Sequence, residues 1–317
     1  MSVREQSVVH CLQHKTLYTR VKHDFVRYKY VYLMLLPLIV WYLLFCYWPL
    51  FGNIIAFKDF KPNKGIFGSP WAGLKHFNSF FSSYYFLRLL RNTLLISLYG
   101  IVFTFPAPIL LALLINEVKS PRYKKSIQTI TYMPYFISMI VICGMLIDFL
   151  KRDGVITSFL RMFGMPNDNY LMKPEAFRSI YVASDIWQHC GWSSIIYLAA
   201  LSGIDQELYE AARIDGANRF KQTLHVTLPG LLPTIIILFI MRIGAVLNIG
   251  YEKIILLYNA ANAETSEVIS SFVYRRGILE ANYSYSTAVD FFNALISFAL
   301  VILSNRIIKR KTEYGLW

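Results

Sequence analysis

YEAARIDGANRFKQTLHVTLPG, residues 209–230, separates two long apolar runs. Asp205 stands where a side chain can cap QELYEAARI, and Glu207 in the first turn complements the helix dipole. Asp215–Gly216 reads as a turn, with Gly216 free to take the left-handed conformation that ends a helix. ANRFKQTLHV follows as a second short helix, and Pro229 and Pro233 mark the return to apolar chain. The pattern predicts a helix–turn–helix over 205–224, with Leu208, Ala211, Ala212, Ile214, Phe220 and Leu224 on its apolar side. A plain connection between two helices needs only about two to eight residues. An ordered amphipathic hairpin of this size is expected to dock a partner or to cap the helices beside it.

The rest of the chain says what those helices are. Of 317 residues, 56% are hydrophobic and 16% charged, with a mean hydropathy of +0.42. That is too apolar for a soluble domain. Runs long enough to cross a bilayer fall near 30–51, 92–115, 127–150, 179–202, 230–257 and 286–307. Asp148, Asp185, Arg242 and Glu252 interrupt three of them. The expected fold is all-α, a polytopic transmembrane bundle of six spans with a cytoplasmic helix–turn–helix. Pro106 and Pro108 should kink the second span and Pro134 the third. In the outer segment 52–90, Leu74, Phe77, Phe80, Phe81 and Tyr84 share a helical face, expected to lie along the membrane surface.

Residues 1–29 form a basic arm, and the apolar run after it is too long for a signal-peptide core, so a retained first helix is expected. Arg4, Lys15, Arg20, Lys22, Arg27 and Lys29 in the arm, Lys119, Arg122, Lys124 and Lys125 in the 116–126 loop, and Arg306, Lys309, Arg310 and Lys311 in the tail favour both termini inside. Lys58, Lys61, Lys64, Lys151 and Arg152 make that bias modest. The net charge of +13 reads as orientation and affinity for lipid headgroups, with no nucleic acid implied. Cys11, Cys46, Cys143 and Cys190 make no disulfide framework. Cys11 with His10 and His14 is too few ligands for a metal site, and no metal is expected. His76, His189 and His225 are scattered, without an evident partner.

Glu210, Ala211 and Ala212, then Gly216, then Val226, Leu228 and Pro229 keep the spacing of the EAA loop of ABC importer permeases, with Val in place of Ile as the one departure. GSPWAGLKHFNSFF (68–81), RNTLLIS (91–97) and WQHCGWSSIIYLAALSGID (187–205) resemble maltose-type sugar permeases. NIGYEKIILLYN (248–259), EVISSFVYRRG (267–277) and STAVDFFNALISFALVILSNRI (286–307) resemble the branch importing oligosaccharides from degraded polysaccharides. The likeness runs from about residue 30 to the end.

The resemblance implies a permease domain over 30–317, multi-pass in a bacterial cell membrane. It implies that the 203–229 loop is a coupling loop gripped by a separate ATPase through Glu210, Ala211, Ala212, Asp215, Gly216, Ala217, Leu228 and Pro229. It also implies a second homologous permease subunit, an ATPase dimer and an extracytoplasmic sugar-binding protein as partners, with an oligosaccharide as substrate. The chain has no phosphate-binding loop: GANRFKQT (216–223) lacks the second Gly and the Gly-Lys-Ser/Thr ending. No cofactor of its own is therefore expected, ATP and Mg being held by the ATPase.

A sugar site needs aromatic faces and amides or carboxylates for hydroxyls. The candidates are Trp187, Gln188, Trp192, Tyr197, Asn248, Tyr251, Glu252, Asp290 and Asn293, with Asn248 and Glu252 at i, i+4. Trp and Tyr near span ends also serve as interfacial anchors. Arg242, Asp185 and Asp290 either pair across helices or, for Arg242, meet an acidic sugar. An ion-coupled secondary transporter using Asp185, Asp290 and Glu252 is the competing class, and glycerol phosphate or polyol the competing solutes.

Overall fold

The computed structural model describes residues 27–312 and 315–316; the arm residues Arg4, Lys15, Arg20 and Lys22, and the set His10, Cys11 and His14, lie outside them. Among the described residues the chain is helical, without a strand. Helices α1 (Lys29–Phe57), α3 (Phe86–Glu117), α8 (Arg219–Gly244) and α11 (Tyr283–Thr312) are long and apolar enough to cross a membrane. So is the pair α4 (Pro121–Phe136) and α5 (Met139–Arg161), if it counts as one span. Helix α6 (Pro174–Ser202) is as long but more polar.

Two expected spans differ from single crossings. The kink expected in the 127–150 run is present but far sharper than a kinked helix, a 97° turn between α4 and α5. The turn follows Pro134, and Ser138 caps the new helix by accepting from Val141 N. The 230–257 run breaks as well: α8 ends at Gly244, and the chain resumes only as α9 (Tyr251–Leu257). Gly244 is packed so tightly on α11 that a Cβ would lie 2.3 Å from Val301 Cγ2. In the second span the proline effect falls one turn early. Pro106 has no N–H for the carbonyl four residues back, and Phe105 N donates instead to Gly100 O, five residues back, widening the turn over Gly100–Thr104.

The bundle closes around α6. A Cβ on Gly191 would lie 2.0 Å from Thr131 O, so α4 rests directly on the α6 backbone. Tyr197 and Leu201 of α6 pack with Ala112 of α3 and Leu231 of α8. The outer segment folds back through Ser284 at the head of α11, which accepts from Phe60 N (2.8 Å) and donates to Lys58 O (2.6 Å). The short α2 (Lys75–Phe81) does not present one apolar face to the surroundings as expected. Phe80 is buried and Phe77 sits 5.3 Å from Phe57, centroid to centroid, while Leu74 and Tyr84 stay exposed. Helix α1 keeps its apolar side chains uncovered from Tyr30 to Phe51, the surface expected of a helix bathed in lipid or set against another subunit.

Candidate functional site

Two places in this fold carry features beyond packing. The first is the hairpin. Asp205 Oδ1 accepts from Glu207 N at 3.0 Å, capping α7 (Gln206–Ile214). Gly216 takes φ +74°, and Ala217 N closes the turn on Ala212 O at 2.8 Å. Asn218 Oδ1 then caps α8 by accepting from Lys221 N at 2.9 Å. Tyr209 OH meets Thr227 Oγ1 at 3.1 Å, bracing α7 against α8. Arg219 pairs with Glu117 at the end of α3, so the hairpin is tied to the bundle at two points.

The apolar side of the hairpin faces away from the bundle. Ile214 is 87% exposed and Phe220 76%, and Leu208 and Leu224 are exposed too. A helix capping its own bundle would bury these groups, so the surface-cap alternative does not fit the geometry. Glu210, Ala211, Asp215, Gly216 and Pro229 are exposed on the same element, with Ala212, Ala217 and Leu228 half-buried.

The second place is a cavity of about 370 Å³ between α3, α6 and the α8–α9 break. Arg242, Asn248, Tyr251 and Glu252 line it. Arg242 reaches it over Gly100: a Cβ there would lie 2.5 Å from the guanidinium Nη2, so the glycine is the notch the arginine occupies. The break is held open by cross-links. Ser97 donates to Val246 O, and Asn293 Nδ2 donates to Leu247 O (3.1 Å) and Asn248 Oδ1 (2.9 Å). Asn248 therefore stands before α9 begins, not on one helix face with Glu252 as expected; both reach the cavity from opposite sides of Gly250. Tyr251 stacks on Tyr274 (5.1 Å, 17°), which fixes its ring.

The charges in the cavity divide into paired and unpaired. Asp185 Oδ1 lies 3.1 Å from His189 Nδ1 and 3.9 Å from Lys253 Nζ. Lys253, 2% exposed, also donates to Tyr181 O (3.2 Å) and sits over the Tyr181 ring. Neither His189 nor Lys253 was singled out for this site from sequence. The signal for His189 was its i, i+4 spacing from Asp185; Lys253 sat beside Glu252 in an apolar run. Among the described residues Arg242, Glu252 and Asp290 form no salt bridge, although the Arg242 charge acts on Asp185 across the cavity. Asp290 lies exposed on α11, outside the cavity.

The remaining candidates lie elsewhere. Asn293 stands behind Asn248 as a brace. Tyr197 is in the packed core. Gln188 is buried beside the cavity with its Oε1 unbonded. Trp192 stacks on Tyr135 (4.6 Å, 4°) and Trp187 is exposed, both outside the cavity.

Comparison with known proteins agrees with this architecture. A family profile described as "Binding-protein-dependent transport system inner membrane component" matches residues 105–310. The chain is 43% identical over 293 residues to the polygalacturonan/rhamnogalacturonan transport system permease protein YteP of Bacillus subtilis (strain 168), covering 92% of this chain and 91% of that one. It is 41% identical over 292 residues to Protein LplB of the same organism, covering 92% of each. Among solved structures it matches a chain of a bacterial alginate ABC transporter in complex with an alginate pentasaccharide-bound periplasmic protein. That match has a TM-score of 0.86 at 41% identity, over 94% of this chain and 100% of that one.

Proposed function

The chain belongs to the family of inner membrane components of binding-protein-dependent transport systems, and from that premise we propose that it is a permease subunit of an ATP-driven importer of acidic oligosaccharides. It works with a second permease subunit, an ATPase pair and an extracytoplasmic binding protein; the alginate ABC transporter it resembles is in complex with a glycan-bound periplasmic protein. We assign it six spans, counting α4–α5 as one and α6 as another, with both termini and the 203–229 loop in the cytoplasm. The basic arm 1–29 then precedes one membrane domain over 30–317. ATP is hydrolysed in the separate subunit. When that subunit closes on the uncovered Ile214 and Phe220, the braces Tyr209–Thr227 and Arg219–Glu117 transmit the movement to α8 and α3. Both helices line the cavity, so its access changes.

The observation that carries the substrate class is the unpaired Arg242. A charge inside a membrane is costly unless it has a partner. Asp185 feels the Arg242 charge, but its direct contacts go to His189 and Lys253, which leaves the guanidinium's hydrogen bonds for an incoming anion. Guanidinium and carboxylate form strong, directional paired hydrogen bonds. Glu252 and Asn248 suit sugar hydroxyls, and the Tyr251 ring suits a sugar face. The named substrates of two relatives, polygalacturonan/rhamnogalacturonan and alginate, are acidic polysaccharides, which supports the same reading.

The test is ATPase activity of the reconstituted complex with its binding protein loaded with uronate or neutral oligosaccharides. Stimulation by uronates is expected, with Arg242→Gln reducing it about tenfold or more, the loss of a charged hydrogen bond. Stimulation by neutral sugars alone, or by glycerol phosphate alone, would sink the assignment.

A further inference from the structure

A second, wider pocket of about 650 Å³ opens above the cavity, between the first turns of α3 and α6 and the short α10 (Ala263–Ser266). Under the orientation proposed above it is on the outer side. We infer that it is a second sugar subsite, taking a uronate residue of the same glycan chain whose leading residues occupy the membrane cavity. This rests on the acidic-oligosaccharide reading and extends it to chain length.

The pocket is built, not incidental. Asn92 is buried and spends both amide hydrogens on loop carbonyls, Glu264 O (2.8 Å) and Glu267 O (3.0 Å). Its Oδ1 is left to accept from Arg178 Nη2 at 3.0 Å, which fixes that guanidinium across the pocket. Arg178 Nε is buried without a partner. Arg88 is consumed by Glu267, which also pairs with Arg275. Arg91 and Arg178 pair with no carboxylate among the described residues, although Glu175 and Glu264 line the same pocket. Such a set suits an acidic sugar: guanidinium for its carboxylate, carboxylates for its hydroxyls, and Tyr84, 89% exposed at the rim, for its ring face.

The two pockets are in line. On α3 the wall runs through Arg88, Asn92, Ile96, Gly100 and Thr104 at steps of four, the first two in the outer pocket and the rest in the cavity. On α6 it runs from Arg178 to Asp185 and His189. At 1.5 Å per residue, Arg178 to Asp185 and Arg91 to Gly100 span roughly 10–14 Å, more than one sugar ring covers. A short oligomer fills the cavity alone, and a longer one reaches both.

The experiment compares uptake of a diuronate and a tetrauronate by proteoliposomes holding the complete transporter and its binding protein. For Arg91→Gln, and separately Tyr84→Ala, the ratio of kcat/KM for tetrauronate over diuronate is expected to fall several-fold, up to about tenfold. An unchanged ratio in both variants, with wild-type uptake of both glycans, overturns the subsite and leaves the acidic reading standing. An equal loss for both lengths, with weakened binding-protein docking, also overturns it, since the arginines would then serve the docking surface. A wild type that imports neither uronate overturns the acidic reading and the subsite with it.

Discussion

In the hairpin, Asp205, Gly216 and Asn218 do their work within five residues of themselves: each cap or turn bond closes on the adjacent helix. In the cavity, the bonds that set Val246, Asn248 and Lys253 in place join residues 149, 45 and 72 positions apart. One region is local chemistry displayed outward, the other tertiary chemistry turned inward. A local element keeps its shape while its partner comes and goes, as a lever must. A cavity assembled from distant segments changes shape when any of them moves, as a gate must.

The largest effect is expected from breaking the lever. Gly216→Pro demands φ near −65° where the chain has +74°, at a cost of about 3 kcal/mol or more at the turn. Uptake and glycan-stimulated ATPase should both vanish while the protein remains in the membrane, measured by transport and by membrane-fraction immunoblot. Glu210→Lys should do the same without disturbing the turn. Normal transport by either variant would remove the distinction between lever and gate.

An intermediate effect sharpens the gate side. Gly100→Ala places a methyl group against the mobile tip of Arg242, which must swing aside without unfolding anything. KM for uronates should rise a few-fold, the cost of a small steric insertion of about 1 kcal/mol, while ATPase activity in the absence of glycan is unchanged. A uniform loss of protein instead would mean that the notch serves packing alone.

The smallest effect lies in the outer segment, away from both regions. Lys75 donates to Asp59, and His76 Nε2 stands 3.0 Å from it, holding its carboxyl below the usual carboxylate range; the Lys75 hydrogen bond is the largest cause. Because the folded-state value is depressed, Asp59 contributes its stabilisation above the unfolded value of about 3.9. That contribution is lost as pH falls through the lower folded value. Asp59→Asn should make the outer segment slightly more open to protease at neutral pH. The wild-type carboxylate should hold its contacts until the pH drops below the usual carboxylate range.

The same contrast decides what could be read from the chain. The Asp205 cap, the Asp-Gly turn and the motif spacing were legible because each depends on neighbours a few positions away, whereas the Asn218 cap went unread. The apolar runs announced the helices and Pro134 announced a kink, but hydropathy could not show that the kink is a 97° turn. The runs hid the break after Gly244 as well, since Ala245, Val246 and Leu247 are as apolar as any helix interior. In the cavity, Arg242, Asn248, Tyr251 and Glu252 were legible as polar groups where polarity is expensive. Lys253, Gly100 and the brace role of Asn293 were not, because each takes its meaning from a segment far along the chain.

The coupling of lever to gate is tested most directly by glycan uptake into proteoliposomes holding the complete transporter, with and without ATP, beside vesicles holding this chain alone. The account predicts accumulation only in the complete transporter supplied with ATP and loaded binding protein. Accumulation by this chain alone, without ATP, would contradict it.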